Sequence, residues 1–291
     1  MNNYKIITDS TSDLSPKLIK DLGVEVIPMV FTIGENSYQN YADEREISSH
    51  DFYDRIRNGE TSKTIQITPI EFTEIFEPIL KSGNDVIYIA FSSALSGTYN
   101  NARLVAQELS EKYPERKIYA VDSLSASMGE GLLVYHAVQK KKEGLSIDEL
   151  HNWLIENRRK LAHWFTVDDL NHLKRSGRLS GTAALVGTVL GIKPVLHVDN
   201  EGRLVPVEKV RGRRQSMDTM IRHMEKAVVD PEKQMIFISH GDSLDDAKYI
   251  AEQVKKKLNV KSIEINPIGP VIGTHSGPGT LALFYLGTSR D

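Results

Sequence analysis

The chain has 291 residues, 40% of them hydrophobic and 26% charged, with a formal net charge of −3 and no cysteine. That composition fits a globular protein of one large or two ordinary domains; it excludes disulfides, thiolate nucleophiles and cysteine-ligated metals, and it argues against a general nucleic-acid binder. No apolar run approaches the roughly 18 residues of a membrane helix, and residues 1–5 lead straight into a strand without a signal-peptide pattern, so a cytoplasmic protein is expected.

Strand and helix patterns alternate in the first half. Lys5–Asp9 reads as a strand. Ser15 and Pro16 form a cap with proline at the first helical position, and Leu18, Ile19 and Leu22 follow. Val24–Ile33 is strand-like, with Pro28 pushing it toward an edge. Thr68-Pro-Ile-Glu71 is a capping box ahead of the helical stripe Phe72, Ile75, Phe76, Ile79. Asp85–Phe91 is a short continuous apolar run, as a buried strand is; after the loop Ser92–Thr98, Ala102, Val105, Ala106 and Leu109 recur on one helix face. Next come a strand over Lys117–Asp122 and a helix running to about Lys142. Lys140–Lys142 and Lys255–Lys257 read as solvated faces near helix ends.

Such alternation predicts a mostly parallel α/β sheet, with ligands at the carboxyl ends of the strands. Asp9–Ser12, Ser92–Thr98 and Asp122–Ser125 all fall at predicted strand ends and could share one rim. The Ser92–Thr98 loop stands at a helix start, where free N–H groups and partial positive charge suit a carboxylate or phosphate. The same hydroxyls could equally serve as plain N-caps, Ser96 or Thr98 being the candidates.

After a helix over Ile147–Leu161 the pattern changes. Strands are predicted at His163–Val167, Lys193–Val198, Arg203–Val210, Gln234–His240 and Lys261–Ile268, with helices at Met217–Val228 and Asp245–Leu258. Asn200-Glu-Gly202 marks a hairpin turn. The expectation is an N-terminal, mostly parallel α/β domain (1–160) and a C-terminal α+β domain (161–291), closely packed with a ligand cleft between them. Thr182–Ile192 is apolar with small residues interspersed and could line a tunnel for an aliphatic chain or form a core helix.

Ile268–Gly279 holds four glycines and two prolines, a composition that forces turns, and His275 sits among them. A histidine there can hydrogen-bond a carboxylate or act as acid and base, or be a satisfied loop residue. A Ser–His–Asp arrangement of Ser96, His275 and Asp9 or Asp122 is conceivable, but the G-x-S-x-G elbow is missing. H-E-x-x-H, P-loop and G-x-G-x-x-G patterns are also missing, so no metal or nucleotide cofactor is expected. Lys209–Arg214 is a short basic patch.

Five ordered segments together resemble the DegV family, which includes the fatty-acid-binding subunits (FakB) of bacterial fatty acid kinase. They are Thr8–Leu14, Ser92–Tyr99, Asp168–Ser180, Lys193–Leu196 and Gly269–Gly279. One segment departs: the family's Thr-Ser-Gln-Pro is replaced by Thr64-Ile-Gln-Ile67, which keeps Thr64 and Gln66 and alters the rest. The resemblance implies a two-domain DegV-like fold, α/β, with a lipid tunnel between the domains. It implies one long-chain fatty acid as ligand, its carboxylate held by Thr64, Ser93 and His275 with Ser96 as a neighbour, and no catalytic residue of the protein's own. It further implies a kinase subunit resembling dihydroxyacetone kinases as partner, contacted by Arg211, and leaves room for transient membrane contact. The reading from a different class is a Ser/His-dependent hydrolase or transferase acting on a lipid-like substrate.

Overall fold

The computed structural model describes residues 3–179 and 191–290. The first half supplies β1 (Tyr4–Asp9), β2 (Glu25–Ile27), β3 (Val30–Ile33), β4 (Asn36–Gln39), β5 (Ser62–Ile65), β6 (Asp85–Ala90) and β7 (Ile118–Asp122). Its helices are α1 (Pro16–Leu22), α2 (Ser49–Arg57), α3 (Pro69–Lys81), α4 (Thr98–Lys112), α5 (Met128–Lys142) and α6 (Ile147–Asn157). The second half supplies β8 (Leu161–Thr166), β9 (Ile192–Val198), β10 (Leu204–Arg211), β11 (Met235–His240), β12 (Ser262–Pro267) and β13 (Leu281–Leu286). With these go α7 (Asn171–Arg175), α8 (Arg213–Ala227), α9 (Leu244–Lys257) and α10 (Pro270–Ser276).

The parallel sheet has the order β2-β1-β6-β7. Both faces are covered, and the alternation of side chains along each strand says how. Ile6, Ile87 and Ile89 pack with α1, α5 and α6, whereas Ile7, Val86 and Tyr88 meet the Phe72, Phe76 and Val105 stripe of α3 and α4. The larger sheet, β10-β9-β8-β13-β11-β12, is antiparallel except for β11 against β12. Helices α8 and α9 bury Met220, Ile221, Ile250 and Val254 on one side of it. Helix α5 covers the other side and also faces the parallel sheet, so one apolar core runs from Ile6 and Ile89 through Leu132 and Leu133 to Phe165 and Phe284. A helix wedged between two sheets is buried around most of its circumference, as α5 is from Met128 to Val134.

Four segments differ from their sequence expectations. Val24–Ile33 is two strands. Pro28 has no N–H to give a ladder, and the chain leaves the parallel sheet after β2 to enter a small antiparallel sheet, β4-β3-β5. The helix expected over Ile147–Leu161 stops at Asn157, and Leu161 opens β8. Helix α4 is capped at Gly97 rather than by a Ser96 or Thr98 side chain, although Ser96 Oγ does accept the Thr98 N–H (3.2 Å). The glycine-rich segment is helical over Pro270–Ser276: Pro270 occupies the first turn, where no N–H is needed, and the glycines end the helix rather than prevent it. Residues 182–190, most of the apolar stretch expected to form a tunnel wall or a core helix, lie outside the described residues.

Candidate functional site

Three loops leave the carboxyl ends of β1, β6 and β7 on one rim. The first, Thr8–Asp13, is a buried hydrogen-bond network. Asp9 accepts from the Thr11 N–H (2.9 Å) and from the Tyr88 hydroxyl. Thr11 Oγ1 also lies between Asp9 and Glu130, and Thr8 Oγ1 lies between the Ile89 carbonyl and Glu130 (2.7 Å). Thr8 has one hydrogen and faces a carbonyl, which can only accept, and Glu130, so Glu130 donates to it when Thr8 donates to the carbonyl, and burial pushes the Glu130 pKa well up in agreement. Asp13 bonds Ser127 (2.6 Å) and accepts from the Gly269 N–H (2.9 Å), and so ties this loop to the start of α10.

Beside that network is a mostly apolar cavity of about 60 Å³, room for roughly four to six water-sized groups. Met29, Phe91, Leu95, Leu173, Leu204 and Val271 supply its apolar wall. Thr64, Ser96, Arg178, His275 and Ser276 bring polar groups to it. It adjoins a wider open depression of about 830 Å³, whose wall includes Lys63, His172, Arg175 and Arg178.

The Thr64–His275 pair is the centre of the polar end. Thr64 on β5 and His275 on α10 are 2.9 Å apart, Oγ1 to Nε2, across 211 residues of sequence. Burial, with the Arg178 charge nearby, pushes His275 down to about 4, so its ring is neutral at pH 7. A neutral imidazole carries one N–H. If Nε2 carries it, Thr64 accepts and its own hydroxyl hydrogen faces outward; if Nδ1 carries it, Thr64 donates to Nε2 and Nδ1–H is free. Either way the pair offers one donor to a ligand. Ser96 Oγ takes the Thr98 N–H and lies 3.0 Å from Thr98 Oγ1. The Arg178 guanidinium reaches the Leu95 carbonyl (3.4 Å), which holds its charge beside the Ser96 loop. Neutral donors and one cation around an apolar pocket can hold a carboxylate.

Close backbone approaches set this geometry. A side chain at Gly97 would run into Gln66, at Gly277 into His172 and at Gly279 into Asp168. Asp168 is fixed in turn by Lys193 (2.6 Å). The conspicuous motif residues thus lock the histidine-bearing helix against α7.

Of the expected site residues, Thr64, Ser96 and His275 line the one cavity. Ser93 is not in that lining; its backbone N–H donates to Asp122 Oδ1 (3.1 Å). Arg211 is exposed at the end of β10, also outside the cavity lining. Within Lys209–Arg214, Arg213 is paired with Asp246 (2.8 Å) and Arg214 stacks on Tyr249. Among the described residues no Ser–His–Asp triad is assembled: the ring of His275 meets Thr64, Asp122 meets backbone amides, and Asp9 meets Thr11 and Tyr88. Sequence reasoning passed over Arg178 and Ser276, although both sit inside the segments that carried the resemblance. Among the described residues one group could hold a metal ion, His50, Asp54 and Asp242, and Arg57 already neutralises both of its carboxylates.

A family model described as "Uncharacterised protein, DegV family" matches residues 3–288. A DegV domain-containing protein of Clostridium perfringens is 45% identical over 291 residues, covering 100% of both chains. Among solved structures, a fatty-acid-binding DegV family protein of Thermus thermophilus aligns with a TM-score of 0.88 at 30% identity, covering 98% of this chain and 99% of that one. DegV of Bacillus subtilis, a fatty acid binding protein, aligns at 0.83 with 28% identity over 99% of this chain and 100% of its own.

Proposed function

This chain belongs to the DegV family, and from that premise we propose that it is a carrier that holds a long-chain fatty acid by its carboxylate and presents it to a separate kinase subunit for acyl-phosphate formation. The observation that carries the reading is the Thr64–His275 pair at the polar end of an otherwise apolar cavity. Relatives of the same fold bind fatty acids, which supports the ligand class. Thr64, Ser96, His275 and Arg178 hold the head group; Ser93, three residues before Ser96, fixes the Ser92–Thr98 segment through Asp122. The acyl tail leaves along the apolar wall, and each buried methylene contributes about 0.8 kcal/mol, so the tail dominates affinity. The head group need only avoid a desolvation penalty. Among the described residues of the site no serine has a base and no carboxylate orients the histidine, which favours binding over chemistry on the ligand. The kinase reaction therefore belongs to the partner, with Arg211 as a contact, and the cytoplasm is the compartment. Among the described residues no helix is long and apolar enough to cross a membrane.

The test is mass spectrometry of an organic-solvent extract of the purified protein. A co-purified free fatty acid is expected, with retention reduced roughly fivefold in His275→Ala, the factor that the loss of a hydrogen bond of about 1 kcal/mol carries. A covalent acyl adduct on Ser96 would instead establish an enzyme. Equal lipid occupancy in both proteins would remove His275 from the site.

A further inference from the structure

Among the described residues four hydroxyls line the cavity, those of Thr11, Thr64, Ser96 and Ser276. Three have partners inside the protein: Thr11 with Asp9 and Glu130, Thr64 with His275, Ser96 with Thr98. Ser276 Oγ has none, though the residue is only 7% exposed. Its backbone carbonyl is occupied by the Thr280 hydroxyl (2.9 Å), so the main chain is held while the side chain is left over. The adjoining His275 Nδ1 is buried and partnerless as well. Buried polar groups without partners are rare in native proteins and call for an explanation.

We propose that Ser276 is a head-group residue, its hydroxyl donating to the carboxylate oxygen that the Thr64–His275 pair does not hold. The inference rests on the carrier reading above and names which end group the site selects. A carboxylate has two oxygens with about four acceptor positions. The Thr64–His275 pair presents one donor, Ser96 and Arg178 approach from the side of the Ser92–Thr98 loop, and Thr11 cannot help, because its single hydrogen lies between two carboxyls. Ser276 supplies a donor from the next position of α10, on the same wall. Each oxygen of a carboxylate carries part of a negative charge and can face one donor in a charge-assisted bond, whereas an alcohol offers a single neutral oxygen whose hydrogen bonds are weaker. Ser276 thereby makes the site selective for the acid over the alcohol of equal chain length. Its hydroxyl has no partner among the described residues of the protein, and the ligand supplies one.

This assignment predicts opposite effects of Ser276→Ala on binding and on stability. Palmitate and hexadecanol are titrated calorimetrically into delipidated wild type, Ser276→Ala and Ser276→Thr, and each protein is melted without ligand. Ser276→Ala should lose about tenfold or more in palmitate affinity, the size expected of one hydrogen bond to a charged acceptor, and clearly less for hexadecanol, whose oxygen is neutral. Ser276→Thr, which keeps the hydroxyl, should retain palmitate binding. Without ligand, Ser276→Ala should melt at or above the wild-type temperature, since the hydroxyl removed makes no hydrogen bond within the described protein. Palmitate affinity unchanged by Ser276→Ala, an equal loss for both ligands, or a lower melting temperature of the empty variant would each overturn the assignment while leaving the carrier reading intact. Failure of the wild type itself to take up palmitate would overturn the carrier reading and the role of Ser276 with it.

Discussion

Asp13 is a buried carboxyl whose neighbours are hydroxyls, an amide and other carboxyls. Ser127 and Gly269 hydrogen-bond it, and Asp9 adds like charge; burial is the largest effect and pushes it from 3.8 up to about 8. The folded protein therefore holds a proton on Asp13 that the unfolded chain releases above about pH 4. The native state binds more protons across that window, so stability is full below the unfolded pKa and falls as pH rises toward 8. Asp9 and Glu130 are shifted in the same direction and add to the decline. Asp13→Asn removes one titration and keeps an acceptor for the Gly269 N–H. Asparagine also tolerates the left-handed backbone at this position, where φ is +47°. Urea midpoints measured from about pH 4 to about pH 8 should fall less steeply in Asp13→Asn than in wild type. Parallel curves for the two proteins would show that Asp13 is ionised in the folded state.

Helix α10 is an element placed by its surroundings rather than by its own propensity. Its seven residues would not hold a helix alone in water. They are held by Tyr53, whose hydroxyl donates to the Ile268 carbonyl (2.9 Å), by Asp13 at the N-terminus, and by the Gly277–Gly279 turn against His172 and Asp168. Gly279 has φ of +74°, which disfavours any other residue, and no room for a side chain besides. Gly279→Ala should therefore combine backbone strain with overlap on Asp168 and cost about 2–4 kcal/mol. Gly144→Ala is the control: its φ is +100°, but nothing lies within 4 Å of the added carbon. The alanine at 279 should cost clearly more than that at 144 in denaturant unfolding, and it should also reduce lipid retention, because the turn sets the position of His275. Equal costs at the two sites would mean that Asp168 moves aside freely.

At the scale of the molecule, the proposed head-group end and the candidate partner contact Arg211 are separate, since Arg211 is outside the cavity lining. The Thr64–His275 pair lies where β5, α10 and the Ser92–Thr98 loop meet, whereas Arg211 is exposed at the end of β10. A cation away from the cavity can steer a partner without touching the ligand, and such steering weakens as salt rises. Arg211→Glu should thus spare fatty-acid binding and slow acyl-phosphate formation by the kinase subunit, most of all at low ionic strength. Turnover equal to wild type at low and moderate salt would put the docking surface elsewhere, with the Lys63, Arg175 and Arg178 depression as the next place to look.

Much of this architecture is local and could be read along the chain. The Thr68 capping box, the Ser15–Pro16 start, the alternating strands β1, β6 and β7 and the stripes of α3, α4, α8 and α9 depend on contacts within a few residues, and periodicity reports those directly. The resemblance supplied Thr64, Ser93 and His275 as candidates, with Ser96 as a neighbour, but no local pattern says that residues 211 apart will meet at 2.9 Å. Nor could spacing tell that Ser96 lines the cavity while Ser93 stands outside that lining with its backbone N–H on Asp122, since both are loop serines. Pro28 pointed to an edge strand; that the chain instead breaks there and enters a second, antiparallel sheet depended on β4 and β5 being there to pair with β3. Glycines that read as turns became the end of a helix because Asp13, Tyr53 and Asp168 hold it from outside. The sequence by itself determined the strands and helices whose patterns close within a few residues; tertiary packing decided α10, the second sheet and which polar groups face the cavity, and so where a ligand can bind.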